Sequence, residues 1–178
     1  MMCPHAACTL TIYLNPIAKM VLPIDSIAVA VTLDTALPVS VERVWGLIRD
    51  FDAMAAWNAS VRQSRIEDGP ADRVGCRRVL VFDDGGTWTH QLTGLSDADM
   101  KLQYRIVATP QPMRIPVWNY RADIVVFAQG GEQQDSAPER CSVRWDAWFD
   151  TAHPEEMQVR AQQVFQLGFV GLRRHFSV

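Results

Sequence analysis

The chain is predicted to fold as one α+β domain in which a seven-stranded, antiparallel, bent sheet wraps a single long C-terminal helix. Two short helices are expected between strands one and two. Three observations predict this class. A β-branched stretch near residue 27 is followed at once by short helical periods; the middle of the chain is a succession of strand-like segments separated only by turn chemistry; and from Pro154 onward the apolar spacing becomes helical. No helical period long enough for a crossover separates the middle segments, which excludes a parallel, doubly wound sheet.

The elements follow in order. IAVAVTLDTAL at 27–37 reads as the first strand. Pro38 and Ser40 sit where a helix begins, and Val41, Val44, Trp45, Ile48 and Phe51 then recur on one apolar face, with Gly46 a mild weakness. Asp52 is expected to cap a second short turn from Ala53 to Trp57. Six strands are placed at about 61–67, 75–82, 87–95, 101–108, 117–128 and 140–149, joined by turns such as Asp83-Asp84-Gly85-Gly86 and Ser96-Asp97-Ala98-Asp99. Pro110, Pro112 and Pro116 stiffen one connection. The last helix starts at Pro154, with Glu155 and Glu156 near its positive end and Arg173, Arg174 and His175 near its negative end. Its stripe is Met157, Ala161, Val164, Phe165, Gly168, Phe169, Leu172 and Phe176.

Composition narrows the function. With 178 residues, 48% hydrophobic and 21% charged, the chain is an ordinary globular protein of single-domain size, and folding buries roughly 70% of its unfolded surface. Its 17 Lys plus Arg stand against 20 Asp plus Glu, so there is no global positive field for nucleic acid. Four cysteines do not make a disulfide framework. No uncharged apolar run approaches the roughly 20 residues that cross a bilayer, which argues against integral membrane association. Residues 1–24 lack a basic n-region and are interrupted by Pro4, Pro16 and Lys19, so they read as a poorly ordered N-terminal extension to a single domain over 25–178. Met20 is an alternative start. The expected setting is the cytoplasm, as a monomer or homodimer.

Alternation assigns an inner face. Cys141, Val143, Trp145, Ala147 and Phe149 share one parity against Ser142, Arg144 and Asp146, with Trp148 the exception. Trp118, Tyr120, Ala122, Ile124 and Val126 form the apolar set of the preceding strand; Leu102, Tyr104 and Ile106, and Trp88, His90 and Leu92, do so in the strands before it. One helix does not fill a strongly bent sheet at both ends, so a cavity is expected between them.

Ordered motifs carry a family resemblance: VSVERVWGLIRDFDAMAAWNASV at 39–61, RIEDGPADRVGCRR at 65–78, DGGTWTHQLTGLSDADMKLQYRIV at 84–107, VRWDAWFD at 143–150 and a helix ending GFVGLRRHF. Over about residues 26–177 the chain resembles the SRPBCC superfamily, the helix-grip fold of START domains, pollen allergens and bacterial polyketide cyclase/dehydrase-like proteins. The resemblance implies an apolar pocket gripped between the sheet and the last helix, and no shared catalytic residue, so fold does not settle chemistry. The chain departs from shorter bacterial relatives in residues 1–24 and in the Thr109 to Pro116 connection, which is expected to reshape one pocket entrance.

The expected ligand-binding set is Trp57, Trp88, His90, Tyr104, Trp118, Tyr120, Trp145, Phe149, Phe165 and Phe169, around a lipid-like or aromatic small molecule. Each tryptophan either lines a cavity or fills core. His90 is the catalytic candidate, a general acid/base assisted by Tyr104 or Tyr120 in a cyclase or dehydratase; otherwise it is a core histidine bonded to a neighbour. A packed aromatic face would instead leave a protein acting through its surface. Gly94-Leu95-Ser96-Asp97-Ala98 resembles a nucleophile elbow but joins two antiparallel strands. His5, His90, His153 and His175 are scattered, and Cys3, His5 and Cys8 lack a fourth ligand, so no metal or cofactor is expected. Asp97 and Asp99 read as a hairpin turn rather than a cation site, and Arg173 as solvent-facing rather than a ligand contact.

Overall fold

A computed structural model describes residues 26–109, 116–129 and 140–178. The extension over 1–24, with Cys3, His5 and Cys8, and most of the proline-rich connection lie outside the described residues. The elements run β1 (Ile27–Leu37), α1 (Val41–Ile48), α2 (Met54–Trp57), β2 (Val61–Ile66), β3 (Arg77–Phe82), β4 (Thr87–Ser96), β5 (Lys101–Ala108), β6 (Trp118–Ala128), β7 (Cys141–Thr151) and α3 (Pro154–Phe176). The seven strands form one antiparallel sheet in the order β1-β7-β6-β5-β4-β3-β2. This is the predicted helix-grip arrangement.

β1 and β7 pair without interruption from Ile27 opposite Thr151 to Leu37 opposite Cys141. This continuous register keeps Val29, Val31 and Leu37 on the same face as Phe149, Ala147 and Cys141, all of them buried. The other strands form a meander with a register shift in β2–β3, two in β4–β5 and one in β6–β7. Such irregularities add bend and twist to a sheet that must curl around a helix.

Ser40 caps α1 by accepting from the Arg43 amide at 3.4 Å, as its position predicts. The cap expected from Asp52 is absent. Ala53 occupies the N-cap of α2 with no side-chain bond, and Asp52 accepts instead from the Ser64 hydroxyl on β2 at 2.9 Å. A tertiary partner has won over a local one. α1 buries Val44, Trp45 and Ile48 and is tied to the β4–β5 turn through Asp97, which accepts from the Trp45 indole at 2.8 Å and from Arg49 at 2.9 and 3.0 Å. Ser96 in that turn exchanges hydrogen bonds with Asp99. The loop is a turn held by its own side chains, as its sequence implied.

α3 starts with Pro154 at its first turn and buries Met157, Phe165, Gly168, Phe169, Gly171 and Leu172. Gly171 is where the helix crosses closest to α2, since a Cβ there would lie 1.9 Å from the Trp57 carbonyl oxygen. Arg173 fastens the far end of α3 to β1 by donating to the Thr35 hydroxyl and the Ala36 carbonyl, both at 2.8 Å. Among the described residues no helix is long and apolar enough to cross a membrane.

Candidate functional site: a cavity between the sheet and the C-terminal helix

Between the concave face of the sheet and the middle of α3 lies a cavity of about 360 Å³. Small-molecule sites in proteins commonly start near this size. From β4 and β5 the wall takes Trp88, His90, Tyr104 and Ile106; from β6 and β7 it takes Tyr120, Trp145 and Phe149. α3 contributes Met157, Ala161, Val164, Phe165 and Leu167. Val164 and Leu167 are also exposed, so this side of α3 reaches from the cavity to solvent. Asp83 and Asp84 of the β3–β4 turn and Arg160 of α3 also line it.

The aromatic residues form a connected lining. Phe149 stacks on Tyr120 at 5.8 Å between ring centres, Tyr120 tilts against Tyr104 at 6.4 Å, and Tyr104 stacks on His90 at 4.7 Å. Trp145 lies flat against Phe165 at 4.5 Å and donates its indole N–H to the Tyr104 oxygen at 3.2 Å. Ring pairs of this kind contribute roughly 0.5–1.5 kcal/mol beyond the area they bury, which helps hold the wall in place.

Seven residues of the expected set therefore face the cavity, and three stand elsewhere. Trp57 and Phe169 are buried behind the lining, each edge-on to Trp145 at 5.8 and 6.4 Å, and serve as its packing. Trp118 departs from the expected inner parity. Asn119 adopts a left-handed φ of 52°, and the register slips there so that Trp118 lies opposite Asp150 while Arg121 lies opposite Trp148. One extra residue turns Trp118 onto the outer face, because side chains alternate with period two. Trp148, whose parity was anomalous, is on that outer face under the Arg121 guanidinium, 5.4 Å from its ring.

The residue that pattern reading missed is Arg78. It stands on β3 directly opposite His90, pointing to the concave face, and is 2% exposed. Its guanidinium donates to the Phe51 carbonyl and to the Met54 sulfur at 3.2 Å, lies over the Phe51 ring at 4.0 Å, and sets one nitrogen 3.3 Å from His90 Nδ1. No carboxylate forms an ion pair with it among the described residues, and its Nε has no partner. Burial pushes its pKa down to about 10 from 12.5. It remains charged at neutral pH, at a cost on the order of 3 kcal/mol to the fold. The only sequence signal was an arginine at an inward position of a half-buried strand, which the Arg77-Arg78 pair disguised.

Arg78 determines the state of His90. A guanidinium donates and never accepts, so Nδ1 carries no proton and the neutral ring is protonated at Nε2. Burial, then the Arg78 charge, hold the imidazole well below its ordinary 6.5. Burial likewise raises the phenols of Tyr104 and, further, Tyr120. The buried wall at neutral pH thus presents neutral phenols and a neutral imidazole, with the Arg78 cation directly behind the imidazole. Among the described residues no cluster of His, Cys, Asp or Glu is arranged to hold a metal ion.

The model for the family described as polyketide cyclase / dehydrase and lipid transport matches residues 28–176. The chain belongs to that family. Its likeness to solved members of the fold is clear at low identity. XoxI from Bacillus cereus superposes with a TM-score of 0.68 at 23% identity, over 83% of this chain and 95% of that one. An uncharacterised protein from Bacillus thuringiensis gives 0.68 at 23%, over 84% and 99%, and a protein from Nitrosospira multiformis gives 0.66 at 20%, over 83% and 95%. No curated protein matches the chain. The polyketide cyclase/dehydrase and lipid transport assignment agrees with an apolar pocket, and the distant structures carry the fold alone.

Proposed function

We propose that the protein binds a hydrophobic small molecule, lipid-like or aromatic and polyketide-like, in the cavity between the sheet and α3. The observation that supports this reading is a void of about 360 Å³ walled by stacked aromatic rings and open beside Val164 and Leu167. Burying apolar ligand surface there is favourable by about 25 cal/mol per Å². A fully packed core acting only through its surface would leave no such void.

A cyclase or dehydratase mechanism would ask His90 to take up a proton. A buried imidazole beside an uncompensated guanidinium resists that, and its Nδ1 is already engaged. We therefore assign His90 to ligand positioning as a neutral donor. The test is displacement of an apolar fluorescent dye together with native mass spectrometry across a panel of lipids and polyphenols. Saturable uptake is expected, and Ala161→Phe, which projects a ring into the cavity from α3, should remove it. Failure of every panel member to bind, or uptake indifferent to the Ala161 change, would overturn the proposal.

A further inference from the structure

The polar side chains of the cavity wall leave several donor protons without an acceptor. The Tyr104 and Tyr120 rings tilt together at 6.4 Å between centres, and the Trp145 indole takes one lone pair of the Tyr104 oxygen. Two neighbouring hydroxyls can use at most one of their two protons on each other, so at least one phenolic proton is left over. His90, with Nδ1 facing Arg78, has its proton on Nε2, and that nitrogen has no partner among the described residues. Asn58 also lines the cavity; its Oδ1 accepts from the Ser60 amide and hydroxyl at 3.1 and 2.7 Å, and its buried Nδ2 is unpartnered.

Behind His90 stands the Arg78 charge. Its nearest acidic influences, Asp52 and Asp50, act through space without touching it, and both are engaged with Ser64 and the local backbone. The carboxylates that line the cavity, Asp83 and Asp84, follow Arg78 by five and six residues, just past the end of β3 and roughly 17–20 Å of extended chain away. His90 and the two phenols are therefore donors backed by an uncompensated cation, whereas Asn58 adjoins the acidic turn through Ser60, whose carbonyl accepts from the Asp83 amide at 3.2 Å.

Resting on the binding function proposed above, we propose that the ligand is an apolar monocarboxylate, seated with its carboxylate on the Tyr104–Tyr120 phenols and His90 Nε2–H and its apolar body toward Phe82, Trp88, Val164 and Leu167. The anion accepts the protons that the wall leaves over and brings to Arg78 the countercharge that the chain does not supply. A neutral ester of the same shape satisfies the donors less well and leaves the guanidinium uncompensated.

The experiment is isothermal titration at pH 7.5 with 2-naphthoate and with methyl 2-naphthoate, on the wild-type protein and on Arg78→Met, Tyr104→Phe and His90→Phe. The readout is the ratio of the two affinities, which a loss of general packing would not selectively change. The acid is expected to bind at least about tenfold more tightly than the ester in the wild type, and each substitution should bring the ratio to within about threefold. Should Arg78→Met fail to fold, the Tyr104 and His90 variants carry the same test. Equal or tighter binding of the ester, or a ratio unmoved by all folded variants, overturns the carboxylate reading and leaves the pocket reading standing. If the dye panel and both naphthalenes all fail to bind, the pocket reading falls first.

Discussion

At the scale of single residues, the burial of His90, reinforced by the Arg78 charge, makes the fold sensitive to acid. The His90 pKa is ordinary near 6.5 in the unfolded chain and well below that in the folded one, so the unfolded state binds the extra proton. Stability is therefore complete above about pH 7 and falls as pH drops below 6.5, with a slope of up to about 1.4 kcal/mol per pH unit. Urea unfolding at pH 7.5 and 5.5 should show this loss, and His90→Gln should flatten it. An unchanged slope in the variant would mean that other groups titrate there. Replacing Arg78 with Met removes the second cause of the depression but not burial, so the His90 resonance should titrate at higher pH than in the wild type while remaining below 6.5. Nuclear magnetic resonance follows this directly. Tyr104→Phe strands the Trp145 indole N–H in the core, a loss of about 1–3 kcal/mol by thermal or chemical unfolding.

At the scale of elements, two glycines of similar appearance have opposite consequences. Gly46 in α1 has no atom within 4 Å of where a Cβ would stand, so Gly46→Ala should stabilise by about 0.5–1 kcal/mol through helix propensity alone. Gly171 in α3 abuts the Trp57 carbonyl, and Gly171→Ala forces α3 away from α2 with the penalty of an overpacked core, about 1–3 kcal/mol or more. Melting temperatures should move up by about 1–4 °C and down by at least about 2 °C, respectively. If Gly171→Ala melts with the wild type, the close crossing of α3 over α2 is wrong. Both glycines sit in helical sequence; the difference lies wholly in what passes beside them.

At the scale of the whole molecule, the cavity couples ligand to stability. A ligand held between the sheet and α3 binds only the folded chain, and at about 100 times its dissociation constant it should add about 2.7 kcal/mol. That is a rise in melting temperature of about 5–10 °C. Ala161→Phe should abolish the rise. An equal shift in the filled variant would place the ligand elsewhere on the surface.

Most of the architecture was legible from the chain because its signals are periodic. Inner and outer sets on β7 alternate apart from Trp148, α3 has a starting proline and a stripe, and the middle strands have turn residues between them, so local preference and global topology agree. Trp118 shows where alternation ends as a guide. A single left-handed Asn119 inserts one residue into the ladder and reverses the face, and nothing in a run reading Trp-Asn-Tyr-Arg announces that. Asp52 shows the same for caps, since the competing Ser64 hydroxyl is distant in sequence.

The chain alone determined the order of elements, the length of the closing helix and the aromatic character of the concave face, because these follow from spacing and side-chain type. Only the tertiary structure decided which rings meet empty space and which merely support them. It alone also placed a buried, unpaired arginine behind His90. The first follows from packing of α2 and α3 on β7 and the second from packing of β3 on β4, Phe51 and α2, and a contact between elements has no period that a single element can display.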